Sequence, residues 1–100
     1  MVVKALDALW DDDVQEYGVK LSQSGRTFKG RTVFRVQNLT GATIGSIDSG
    51  LQVSYSTAYF PGVSDSFEGR LDAGLDRMTG KLTLHVFGST ASFNMNFVRK

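Results

Sequence analysis

The chain has 100 residues, no cysteine, one histidine and one proline, and its 11 Lys and Arg against 10 Asp and Glu leave a formal charge of +1. That length suits a single domain, residues 1–100, around one core. The composition excludes disulfides, thiolate metal sites, cysteine nucleophiles and sites built from several histidines, and a charge this close to zero exerts no global pull toward nucleic acid or acidic membranes.

Met1-Val2-Val3-Lys4-Ala5-Leu6-Asp7 meets charge before an apolar run forms. No later stretch approaches the roughly 18 apolar residues of a membrane span. The expectation is a soluble, cytoplasmic protein without a membrane partner. Leu6, Leu9, Trp10, Val14 and Tyr17 then recur at helical intervals, with Gly18 as a stop, and predict one amphipathic helix over residues 4–17. Asp11-Asp12-Asp13 lies inside it with weak helix propensity, so a break at Asp11 is compatible with the pattern.

From Val19 the apolar period changes to two and stays there, predicting an antiparallel meander over residues 19–98. Phe28, Gly30, Thr32, Phe34 and Val36 share one face. Asn38-Leu39-Thr40-Gly41 reads as a turn, and Ala42 to Ile47 as a short strand ending at Asp48-Ser49-Gly50. Leu51, Val53, Tyr55, Thr57 and Tyr59 form the next inward face before Pro61-Gly62 breaks the ladder.

Phe67, Gly69, Leu71, Ala73 and Leu75 follow, then Leu82, Leu84 and Val86, then Ala91, Phe93, Met95 and Phe97. With Arg77-Met78-Thr79-Gly80 as a hairpin loop, Leu75 sits opposite Leu82 and Leu71 opposite Val86, and in the next hairpin Leu84 faces Phe93. The pattern Leu75-Asp76-Arg77-Met78-Thr79-Gly80-Lys81-Leu82-Thr83-Leu84 resembles hairpins of small β-barrel and lipocalin-like proteins. The resemblance covers a tenth of the chain and implies no site residues.

Two stretches echo each other at an offset of 39 residues: Phe28-Lys29-Gly30-Arg31 to Thr40-Gly41, and Phe67-Glu68-Gly69-Arg70 to Thr79-Gly80. The echo suggests one strand-turn-strand unit used twice, within two repeated three-stranded units. The fold class is therefore mainly β with one helix (α+β): an N-terminal amphipathic helix and six antiparallel strands, or seven if Val19 to Gln23 pairs, forming a small barrel or a strongly curved sheet. An open sheet would leave edges to be covered by a homodimer, and the apolar loop Tyr59-Phe60-Pro61 offers a second dimer surface.

Chemistry is sparse. In the expected register His85 lies beside Asp72 and Ser92, the residue types of a hydrolytic triad, but flat neighbours on an open sheet offer neither an oxyanion hole nor exclusion of water. Asp11-Asp12-Asp13 lacks the glycine and glutamate of a calcium loop, and no phosphate-binding glycine loop is present. The expectation is a non-enzymatic binding or accessory module without metal or cofactor.

Two surfaces are candidates for binding. Gln52, Ser54, Ser56, Ser92, Asn94 and Asn96 give two strands a polar, uncharged second face, suited to a small neutral ligand or a peptide. Lys29, Arg31 and Arg35 alternate with core residues and share a face, with Lys20 and Arg26 near in sequence. This is the alternative: an anion or nucleic-acid surface, with the acidic segment Asp11 to Glu16 available to neutralise it. Nucleic acid is disfavoured there because no outward aromatic stands nearby to stack on bases.

Overall fold

The computed structural model describes residues 9–12, 17–35, 37–74 and 76–99. Within them the chain forms β1 (Leu9–Asp12), β2 (Tyr17–Ser24), β3 (Thr27–Phe34), β4 (Leu39–Ile47), β5 (Gln52–Phe60), β6 (Val63–Leu71), β7 (Arg77–Val86) and β8 (Ser89–Arg99). Each strand pairs antiparallel with the next, and β1 pairs with β8, which closes an eight-stranded barrel. Closure, the meander order and pairing of the Val19 to Gln23 segment agree with the sequence reading.

The predicted helix does not form where the chain is described. Trp10 pairs with Val19 on one side and Arg99 on the other, fully buried, and β1 is the strand that removes both sheet edges. A short apolar run has no unambiguous period. Here the gain from covering two edges and burying an indole outweighs local preference, and Asp11 to Asp13 are poor helix formers in any case. Residues 4–8 and 13–16 of the expected helix lie outside the described residues.

The count of six strands also gives way to eight, because β1 and β2 precede the six expected ones, and the second hairpin loop is elsewhere. Arg77 to Gly80 are strand residues, and Met78 is fully buried opposite Leu71. The turn comes earlier, where Asp72 Oδ1 accepts from the Asp76 and Arg77 amides, both at 3.2 Å. Likewise Leu39 to Gly41 belong to β4. The outcome is a register in which Phe67, not Leu75, faces Leu82, and Leu84 faces Ala91, not Phe93.

The 39-residue offset superposes β3 and β4 on β6 and β7, so what recurs is a two-stranded unit. Its second copy has a longer loop: Phe34 meets Leu39 across the first turn and Leu71 meets Met78 across the second. Gly80 consequently faces Gly69, whereas Gly41 faces Thr32.

The core fills the barrel. Tyr55 stacks on Phe67 at 5.2 Å, Phe67 meets Phe97 edge-on at 5.4 Å, and Val19, Leu71, Met78 and Leu82 pack around them. Burying each such side chain contributes roughly 1.5–3 kcal/mol. The β7–β8 hairpin outruns this core. Toward its tip the expected core positions Ala91 and Phe93 are exposed and Met95 is only half-buried, while Phe97, where β1 meets β8, is fully buried.

Candidate functional site

Strand alternation sorts the functional candidates by face. On the outside, register aligns Ser22, Lys29, Ile44, Ser56, Ser66, Thr83 and Ser92 in one row across β2 to β8. The row beside it runs Ser24, Thr27, Ser46, Ser54, Glu68, Lys81 and Asn94. Small hydroxyl side chains therefore dominate the outer face over β2 to β6, and the surface sinks there.

Three contiguous depressions form a trough. The central one, about 790 Å³, has Ser22, Ser24, Ser46, Ser54, Ser56 and Ser66 around Ile44, which is 65% exposed. A second, about 660 Å³, continues toward Lys20, Lys29 and Arg31, and a third, about 440 Å³, toward Arg26, Asp48 and Gln52. Beneath the centre lies Gly45, where a Cβ would collide with the Ser54 carbonyl oxygen and the Phe28 ring. Its absence lets Phe28 and Tyr55 lie directly against the β4 backbone.

The sequence-derived neutral face divides on this map. Gln52, Ser54 and Ser56 line the trough. Ser92, Asn94 and Asn96 point outward on β8, with β6 and β7 between, and Arg70, Glu68 and Lys81 occupy the intervening register positions. Only the row through Ser56, Ser66, Thr83 and Ser92 stays uncharged across all four strands, and Thr83 and Ser92 hydrogen-bond at 3.1 Å.

The basic strand divides too. Arg35 leaves β3 and pairs with Asp11 at 2.8 Å. Lys29 and Arg31 remain on the outer face, and Arg31 sits directly opposite Lys20. His85 lies between Ser64 and Thr90, near the β7–β8 tip, whereas Asp72 is in the turn at the other end of the barrel. The structure thus separates the expected histidine, aspartate and serine. Among the described residues, no group of three or more His, Cys, Asp or Glu is placed to hold a metal ion, and no helix is long and apolar enough to cross a membrane.

A second polar cluster, which the sequence reading did not single out, lies inside. Thr32 and Thr43 hydroxyls are 2.6 Å apart, Thr43 and Thr57 2.8 Å, and Thr57 donates to Thr32 at 3.1 Å. Asp65, 1% exposed, stands opposite Thr57 and accepts from the Tyr59 hydroxyl at 2.5 Å. Its Oδ1 has no hydrogen-bond partner among the described residues. Burial pushes the Asp65 carboxyl up to about 6, although the Tyr59 hydrogen bond and the His85 charge act the other way. Burial, reinforced by the Asp65 charge, pushes the Tyr59 phenol well above its ordinary range. Asp65 lies two residues from both Val63 and Phe67, so strand alternation alone marks it as inward.

Tyr59 and Phe60 part company at a register shift between Ala58 and Phe60. Tyr59 is half-buried, while Phe60 is exposed and leans on Phe87 with ring centroids 6.4 Å apart. No protein-family model, no curated protein and no solved structure matches the chain.

Proposed function

We propose that this protein is a non-enzymatic binding module whose outer trough over β2 to β6 takes an elongated, mostly uncharged ligand rich in hydroxyl or amide groups. The observation that carries the reading is the trough itself, with hydroxyls on both sides of an exposed isoleucine. Serine hydroxyls donate and accept, so they match polyols and amides without selecting for charge. Ile44 supplies an apolar contact for a ligand's carbon skeleton. The side chains packed through the barrel argue for an external ligand over an internal one.

The test is a titration of neutral oligosaccharides and short uncharged peptides, followed by amide chemical shifts. Perturbations are expected at Ser54, Ser56 and Ser66. Ser56→Phe, on an exposed position, fills the trough and should remove binding while unfolding stays within about 0.5 kcal/mol of the parent. Asn94→Ala combined with Asn96→Ala, on β8, should leave binding intact. Shifts confined to β8, or undiminished affinity in Ser56→Phe, would move the site elsewhere.

A further inference from the structure

The trough is electrically polarised, and the cause is a like-charge contact. Lys20 and Arg31 are direct cross-strand partners on the exposed face, and Lys29 is two residues along from Arg31. Like charges directly opposite each other on a sheet are destabilising. Among the described residues no carboxylate lies within ion-pair range of any of the three. Arg35, from the same stretch of sequence, does have such a partner in Asp11.

Strand spacing puts Lys20 and Arg31 about 5 Å apart at the backbone, and Arg31 and Lys29 about 7 Å apart. Three long cationic side chains can therefore converge on one anionic group. The depression they line shares Ser22, Lys29 and Ile44 with the serine-lined centre. At the far end the charges are mixed, Arg26 with Asp48, and Glu68 lines both that end and the adjoining edge of the centre. A ligand acidic along its whole length would meet those carboxylates, whereas one acidic at a single end would not.

We infer that the ligand is a saccharide chain ending in an acidic sugar, bound in one direction, with its acidic group on Lys20, Lys29 and Arg31 and its neutral sugars over the serines. This rests on the trough being the binding site. A single-stranded nucleic acid would also answer the cations, but it carries a phosphate at every step and gains from aromatic stacking. The aromatic residues that line the trough, Phe28, Tyr55 and Phe67, are core side chains buried beneath it and offer no exposed ring for a base to stack on.

The experiment compares a neutral glucan tetrasaccharide with the same chain oxidised at one terminal C6 to the uronic acid, using calorimetry at low and moderate salt. The oxidised chain should bind about ten-fold or more tightly at low salt, and that advantage should shrink as salt rises. Lys20→Ala combined with Arg31→Ala should erase the advantage and leave neutral-chain affinity within about two-fold. The same double variant should unfold no earlier than the parent, since it removes a repulsion. Equal affinity for the two tetrasaccharides overturns the acidic end but leaves the neutral-ligand reading standing. If neither sugar perturbs the trough amides, both fail. An oligothymidylate binding as tightly as the oxidised chain would also overturn the inference, in favour of nucleic acid.

Discussion

Tyr59 and Asp65 lock together across a strand irregularity: the phenol on β5 donates to the carboxylate on β6 at 2.5 Å, beside the register shift that turns the next residue, Phe60, out to solvent. The contact sits at the end of a line of threonine hydroxyls inside an otherwise apolar barrel.

The buried carboxyl makes stability depend on pH in a definite direction. Asp65 holds its proton up to about 6 in the folded protein, against about 3.9 in an unfolded chain. The folded state therefore binds the proton more tightly. The stabilisation from Asp65 is full below pH 4 and is lost as pH rises through 6, a change of roughly 3 kcal/mol. Denaturant midpoints measured from pH 4 to 7.5 should show Asp65→Asn gaining on the parent between pH 4 and about 6 and holding that gain to pH 7.5. A constant difference between the two proteins would show that Asp65 titrates normally.

Thr43 occupies the middle of the hydroxyl line, yet Thr57 also reaches Thr32 directly at 3.1 Å. Thr43→Val should therefore cost only about 1 kcal/mol, because its neighbours keep one hydrogen bond. Replacing Thr32, Thr43 and Thr57 together by valine should cost less than the three single changes added, since no hydroxyl is then left unsatisfied. Additive costs in equilibrium unfolding would refute that coupling.

The Arg35–Asp11 pair is lopsided, with side chains 42% and 12% exposed. Arg35→Ala strips a charge partner from the more buried group and should cost more than Asp11→Asn, which leaves a cation that water can solvate. We expect about 1–2 kcal/mol against less than about 1. Thermal unfolding in low and high salt measures both, and the reverse order would show that Arg35 contributes through packing.

Phe87 has φ of 48°, an uncommon value for a bulky residue, and it is 72% exposed with its ring against Gly62. Its amide donates to the Gly62 carbonyl at 2.7 Å, joining two hairpin tips. A Cβ on Gly62, itself at φ 90°, would lie 2.5 Å from that ring. Gly62→Ala should thus be the costlier change, at about 1–2 kcal/mol, whereas Phe87→Asn suits the turn and trades ring contact for relief of strain. Equal losses in the two variants would show that the Phe87 ring contact outweighs the strain at its backbone.

Where side-chain alternation decided the structure, it was readable in advance. Val53, Tyr55 and Thr57 on β5, and Phe67 and Leu71 on β6, face inward as their period requires. Turn positions were harder, because Thr79-Gly80 and Asp72-Ala73-Gly74 both look like loop chemistry. The signal that separates them is the aspartate two residues before a glycine. Asp48-Ser49-Gly50 shows the same arrangement, with Asp48 Oδ1 accepting from the Gly50 and Gln52 amides, both at 2.9 Å.

The N-terminal strand was illegible for another reason: the partners that hold Trp10 extended, Val19 and Arg99, are a hairpin and a whole chain away. The trough was half legible. Ser54 and Ser56 were visible as a face, but the close packing of Gly45 on Phe28 and Tyr55 beneath it depends on neighbouring strands.

The chain has one tryptophan, and it is in the strand that seals the barrel. Seven of the eight pairings join neighbours in sequence and can form early as hairpins, while β1 with β8 must bring together residues roughly ninety positions apart. Trp10 passes from water into the core at that step, with the Arg99 guanidinium 4.8 Å from its ring centre. Its fluorescence during refolding should therefore report closure of the barrel, the pairing that spans the longest stretch of chain, without any label.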